Sequence, residues 1–355
     1  MKKKSGVLIL SFMLCLLFTA SAFAADTTQY TIDLEGKKID GQALVSEGRL
    51  YLPLRAVCSP LGYKISWFGK EGKLVLAKDG MAIELGLENF KLKVNDHESY
   101  VADVYKRVNG TSYLSEGFFE ENLGLEVIQE GGAVSITAVK ENPISIKTVR
   151  DTAEEDYIKI TLQYPQLEGL ENKDVQEQLN DVFKQAAQDS RNAGLKNAEE
   201  MKKFIEDGYP GSPNKCETYF NYLVKYNQKG LLSIVLMDYQ YTGGAHGLTI
   251  QSSATFDLAT GKEYQLKDIF TEGTDYVKLV SREIKKAMEE QGIADSLLNP
   301  FEAISPEQDY YLTNDALVVY FQAYEYLPYA YGIPEFAIDY PILQDNFKPA
   351  FEILN

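Results

Sequence analysis

"TYFNYLVKYNQKGLLSIVLMDYQYTGGAHGLTIQSSATFDLATGKEYQL" occupies residues 218–266. Apolar and polar residues alternate along strand-length runs. The runs are cut by "QKG" at 228–230, "TGGAHG" at 242–247 and "ATGK" at 259–262. Alternation broken by glycine-bearing turns is the signature of an antiparallel meander. Helical periodicity flanks it. Asp174 and Glu177 have the spacing of a capping box, followed by a stripe of Val175, Leu179, Val182, Phe183 and Ala186. A second stripe runs through Tyr276, Leu279, Val280, Ile284 and Met288. "YIKITLQYP" predicts a strand ending at Pro165, and "ALVVYFQAYEY" a last strand over 316–326. The class is α+β, with helices packed on an antiparallel sheet.

The N-terminal part carries a repeat. "LYLPLRAVCSPLGYKISW" at 50–67 aligns with "SYLSEGFFEENLGLEVIQ" at 112–129, pairing Tyr51 with Tyr113, Leu52 with Leu114, Leu61 with Leu123 and Gly62 with Gly124. Each unit closes in an alternating run, "KLVLA" or "AVSITA", and reads as strand, short helix, glycine stop, strand, turn, strand. Leu54, Val57, Cys58 and Leu61 have helical spacing, and the paired glycines sit where a helix C-cap needs positive φ. Arg55 is expected to make a salt bridge or bond a carbonyl within the module. His97, in "VNDHESY", reads as an exposed turn residue.

At the start, three lysines precede an apolar run from Val7 to Phe18, and Ala22-Phe23-Ala24 has the A-x-A form of an export cleavage site. Cys15 lacks the small residue before it that lipid attachment requires. The expectation is a signal peptide over 1–25, an extracellular or cell-envelope location, and no stable membrane insertion after cleavage. Three further segments follow: 26–140, holding both repeats; 141–215; and 216–355. Removing 1–25, with its three lysines and no acids, takes the formal net charge from −17 to about −20. Such a surface repels nucleic acid and anionic polymers and favours a basic protein partner. Cys58 and Cys216 survive processing, and they either pair across two segments or remain buried free thiols. With two histidines and these two cysteines, no zinc-site spacing is present and no metal or cofactor is expected.

"LYLPLRAVCSPLGYKISW" resembles the stalk module named after the N-terminal domain of copper amine oxidases. That resemblance covers about 110 residues and implies no copper chemistry. Its second unit lacks the Pro-Leu-Arg sequence. "YQYTGGAHGLTIQSSATFDLATGKEYQLKDIF" and "YFQAYEYLPYAYGIPEFAIDYPIL" resemble a domain of unknown function found in the outer part of anti-sigma-V factors, which sense lysozyme. The same domain occurs in the non-catalytic N-terminal region of a peptidoglycan N-acetylmuramic acid deacetylase. Residues 144–195 look like its companion subdomain. The deacetylase family needs an Asp and a His-x3-His zinc set, and His97 with His246 cannot supply it. Its enzyme activity and the sigma-factor contact therefore do not carry over. The binding role of the outer domain does.

His246 in "YTGGAHG" invites a reading as general base, yet no partner lies at a spacing that marks an active site. We expect it to hold its loop or contact a protein, with Gly243, Gly244 and Gly247 supplying positive φ and close backbone approach. Tyrosines crowd the C-terminal part. Tyr320, Tyr324 and Tyr326 read as strand residues packed on a helix, and Tyr329 and Tyr331 as a rigid loop between Pro328 and Pro334. The candidate binding residues are Tyr241, Thr242, Gly243, Gly244, His246, Tyr329 and Tyr331, with no catalytic set. The expected partner is lysozyme or another basic protein, with peptidoglycan as the alternative; a wall hydrolase or deacetylase is disfavoured.

Overall fold

The computed structural model describes residues 29–354, except 79–80, 95–96, 102 and 210–213. The expected signal peptide lies outside the described residues. The protein is α+β: among the described residues, four sheets and their helices enclose separate apolar cores.

Both repeat units form as read. Strands Arg49–Pro53 and Thr111–Ser115 pair antiparallel, with Leu52 opposite Leu114 and both fully buried. A helix follows each, Leu54–Cys58 and Glu116–Leu123. Gly124 is the left-handed C-cap of the second at φ 60°. The first helix is shorter than its periodicity suggested. It stops at Cys58, and Leu61 and Gly62 belong to the following turn, because Pro60 ends the helical hydrogen bonding. The two units then diverge. Leu125–Glu130 and Ala133–Ala138 extend the shared seven-stranded sheet, whereas Lys64–Phe68 and Lys73–Lys78 open a separate five-stranded meander ending in His97–Tyr100. Arg55 is exposed and has no ion pair or side-chain hydrogen bond among the described residues, so its expected role within the module is not realised.

The opening stretch forms the antiparallel strands Cys216–Gln228, Leu231–Tyr241, Leu248–Asp257 and Glu263–Tyr264. Two more strands, Ser145–Glu154 and Ile158–Glu168, complete a six-stranded sheet. Ile158–Glu168 runs parallel to Cys216–Gln228, because the helix Lys173–Glu206 crosses over between them. Pro165 does not end its strand; it pairs with Thr148. The parallel ladder on its other side ends at Leu162–Phe220, so the missing proline N–H costs no bond there. The crossover helix is capped by Asn172, whose side chain accepts from the N–H groups of Asp174 and Val175, two residues ahead of the expected capping box. Its buried stripe is Val175, Leu179, Phe183, Ala187 and Ala198, while Val182 faces solvent.

The other face of this sheet meets a three-stranded sheet of Tyr310–Leu312, Ala316–Tyr320 and Glu335–Asp339. Period-two alternation splits its strands: Tyr311, Ala316, Val318 and Tyr320 face the large sheet, while Leu312, Leu317 and Val319 join the core of helix Tyr276–Glu290. No helix among the described residues is long and apolar enough to cross a membrane.

The repeat-bearing lobe docks on the large sheet through strand His97–Tyr100. Backbone N–H of Glu98 donates to Gln163 Oε1 at 2.9 Å, and its carbonyl accepts from Gln163 Nε2 at 3.0 Å, Tyr219 OH at 2.8 Å and Asn221 Nδ2 at 3.0 Å. His97 is therefore not an exposed turn residue. Its Nε2 lies 2.6 Å from Asn221 Oδ1, and its ring packs on Tyr222 at 4.7 Å. Burial lowers its pKa from the ordinary histidine value, against the opposing pull of Asn221.

Candidate binding surface

The loop 242–247 joins two paired strands, with Gln240 opposite Leu248. Of its three glycines, Gly243 alone has positive φ, at 89°. Gly247 is needed for a different reason: a Cβ there would lie 2.4 Å from the Tyr239 ring. Gly244 has neither requirement.

The loop meets the tyrosine turn that the sequence places some 80 residues later. The His246 ring stacks on Tyr329 at 3.9 Å with 21° between planes, and Tyr324 stacks on Tyr329 at 5.6 Å with 30° between planes. His246 Nδ1 donates to Gly247 O at 2.9 Å, which leaves Nε2 to accept from Tyr324 OH at 3.4 Å. Tyr329 OH donates to the same Gly247 carbonyl at 3.0 Å. These contacts hold the rings in register without covering them: Tyr324 is 49% exposed and Tyr329 37%. Leu248 and Ile250 on the adjoining strand are exposed as well. The result is a three-ring platform open to solvent.

Tyr331 stands apart from the stack. It is exposed, and its hydroxyl donates to Ser296 Oγ at 2.9 Å. Tyr241 ends its strand opposite Glu217. It lines a shallow cleft of about 650 Å³ with Tyr239, Ala245 and His246. Thr242 is exposed beside it. The structure therefore unites His246 with Tyr329 and leaves Tyr331 outside the stack.

Tyr324 is the residue the sequence reading misplaced. The strand ends at Tyr320, which is buried and donates to Ser253 Oγ at 3.0 Å; it packs on the large sheet and not on a helix. Tyr326 packs edge-on against Phe301 and Phe321. Tyr324 between them sits at φ 71°, a conformation rare for a bulky side chain. Gln322 imposes this turn. Its side-chain amide donates to Gln251 O at 2.7 Å and accepts from Gln251 N at 3.1 Å, which pins the turn to strand Leu248–Asp257. No local pattern marks that pairing, since its partners are 71 residues apart.

Cys58 and Cys216 are both free and buried, in different cores, so the paired alternative is not what the structure contains. Burial pushes the Cys58 thiol up to about 12, which makes it a poor nucleophile. Among the described residues, no group of three or more His, Cys, Asp and Glu could hold a metal ion.

Residues 31–138 match the copper amine oxidase N-terminal domain family. Residues 152–249 match the family described as deacetylase PdaC, and residues 267–341 the protein of unknown function family DUF3298. The platform draws His246 from the second match and Tyr324 and Tyr329 from the third. Among curated proteins, the chain is 28% identical to anti-sigma-V factor RsiV of Bacillus subtilis over 196 residues, 52% of this chain and 64% of that protein. It is 26% identical to the peptidoglycan-N-acetylmuramic acid deacetylase PdaC of the same organism over 181 residues, 48% of this chain and 38% of that protein. The chain thus spans less than two thirds of the length of either relative. Of solved structures, a DUF3298 family member from Bacteroides fragilis aligns with TM-score 0.46 at 18% identity, over 59% of this chain and 95% of that one. A DUF3298 family protein from Pseudomonas aeruginosa aligns with TM-score 0.42 at 20% identity, over the same shares.

Proposed function

We propose that this chain, which joins a copper amine oxidase N-terminal-type unit to PdaC- and DUF3298-type segments, is an exported cell-envelope protein that binds a partner and performs no catalysis. The partner we assign to its C-terminal region is a basic protein of the lysozyme class. One observation carries this reading: the His246, Tyr329 and Tyr324 rings are tied together by stacking and hydrogen bonds yet left exposed to solvent. Rigid, exposed aromatic rings lose little conformational entropy on binding and dominate interface energetics. A net charge near −17 would steer a basic partner toward the molecule. The hydrogen-bond partners of His246 are a backbone carbonyl and a tyrosine hydroxyl, which suits a ring held for contact better than a general base.

The test is direct binding of the secreted chain to lysozyme at low and moderate salt. Tyr324→Ala and His246→Ala are each expected to weaken binding by about tenfold, the usual size of a buried aromatic contribution. Absence of binding by the unaltered protein at both salts ends the lysozyme assignment.

A further inference from the structure

A second feature lies away from the aromatic stack. Where the repeat-bearing lobe docks, it covers only part of the large sheet's face. A groove of about 1530 Å³ remains between the lobes. Residues from five successive strands of the sheet form its floor, from Ser145–Glu154 to Thr249, and strand His97–Tyr100 with Lys91, Leu92 and Val94 forms its wall. Four strand spacings make the floor about 19 Å wide. Lys159, Glu217 and Tyr239 line both this groove and the smaller cleft beside the 242–247 loop, so the two run together. The volume exceeds the roughly 300–1,000 Å³ of an ordinary small-molecule pocket and suits a segment of polymer.

The charge pattern narrows the polymer. Each lysine and arginine lining the groove and cleft is already bound to a carboxylate. Glu98 holds Lys91 at 3.1 Å and Arg150 at 3.3 Å, and Glu121 holds Lys225 at 3.0 Å. Lys147, Lys159 and Lys215 are paired in the same way. On a strongly acidic molecule this is a locally neutralised strip. A charged ligand would have to break existing pairs, whereas a neutral one need not. Tyrosine faces are set along the strip: Tyr100, 69% exposed, on the wall, and Tyr219 and Tyr239 on the floor. Aromatic faces interleaved with hydrogen-bonding side chains are what sugar rings require, an apolar face and an edge of hydroxyls.

We infer that this groove binds an extended strand of neutral polysaccharide, laid across the open sheet face between the two lobes. The site is built jointly by the lobes; one end opens into the cleft beside His246, while Tyr324 and Tyr329 of the platform lie outside its lining.

Isothermal titration of the full secreted chain with hexamers of N-acetylglucosamine and of glucose tests this, and the pair distinguishes amino-sugar from plain glucan strands. At least one hexamer is expected to bind, with less than about twofold change between low and moderate salt, because no ion pair forms or breaks. Tyr100→Ala, removing the wall ring, and Thr249→Arg, filling the floor, should each weaken binding about fivefold or more. Tyr324→Ala, in the platform, should leave hexamer binding unchanged. Unaltered thermal melts of the variants will separate loss of the site from loss of the fold. Failure of both hexamers to bind at millimolar concentration overturns the inference. So does binding that survives both groove substitutions, binding that disappears with salt, or binding that Tyr324→Ala abolishes. Failure of the hexamers to bind leaves lysozyme binding by the platform untouched, and absence of lysozyme binding leaves the groove untouched, so the two readings fail independently.

Discussion

Gly247 shows how one residue can be legible in position and not in purpose. Its place in "TGGAHG" marked a loop that needs glycine. Of the two expected properties, positive φ holds at Gly243 and not at Gly247, and close approach holds at Gly247. Gly247 is there because the Tyr239 ring fills the space a Cβ would take, at 2.4 Å. Its carbonyl is also the shared acceptor for His246 and Tyr329. Gly247→Ala therefore forces the ring or the loop to move. The expected cost is about 1–3 kcal/mol, the range for overpacking a filled site. It should appear as a lower urea midpoint together with weakened partner binding. Gly244→Ala, with only a contact at 3.9 Å, serves as the near-neutral control. An equal loss from both substitutions would show that flexibility of the loop, and not the Tyr239 contact, sets the requirement.

The elements follow periodicity closely where burial is one-sided and depart from it where side chains stand in for backbone. The meander strands and helix Tyr276–Glu290 formed as their patterns predict. Helix Lys173–Glu206 runs well past the predicted stripe, and its start is set by Asn172. Asn172→Ala leaves two backbone N–H groups without that acceptor and should cost about 1 kcal/mol, read from chemical denaturation. A destabilisation indistinguishable from zero would return the cap to Asp174 and Glu177. Three strands are completed by amide side chains acting as surrogate strands. Gln163 pairs with Glu98, Gln322 with Gln251, and Asn180 with Leu167, each donating to a backbone carbonyl and accepting from the N–H of the same residue. Asparagine and glutamine in a sequence look like surface residues, so these pairings, which dock a lobe and fix the Tyr324 turn, have no local signature.

At the scale of the whole molecule, the lobes are held by the Glu98 clamp at one end and strained by like charges at another. Glu116 and Glu120 of the second repeat helix face Asp315 of the C-terminal sheet region. Burial, with Asp315 and then Glu116 adding repulsion, raises the Glu120 carboxyl from 4.5 to about 7. A raised folded-state value means the folded protein holds this proton more tightly than the unfolded chain does. The stabilisation from protonation is thus full below about 4.5 and lost as pH rises through about 7. Glu120→Gln keeps the acceptor for the Val127 N–H and removes the charge. Because the carboxyl is half-buried, solvent screens part of the effect. The variant should be more stable than the parent by about 2 kcal/mol above neutral pH, with the advantage gone near pH 4.5. Urea titrations at the two pH values measure this; a pH-independent difference would mean the charge is not the cause.

The sequence by itself determined the α+β class, the two repeat units, the meander and the prominence of "YTGGAHG", because each rests on local periodicity or on glycine. Only the tertiary structure decided that His97 is an interface residue, that Cys58 and Cys216 remain apart, that Tyr324 joins His246 and Tyr329, and that a neutralised groove separates the lobes. Each of those depends on contacts between residues distant in the chain, made through side-chain amides and ion pairs whose partners no spacing rule identifies. The loop that first looked like a catalytic histidine is, in three dimensions, one edge of an aromatic platform.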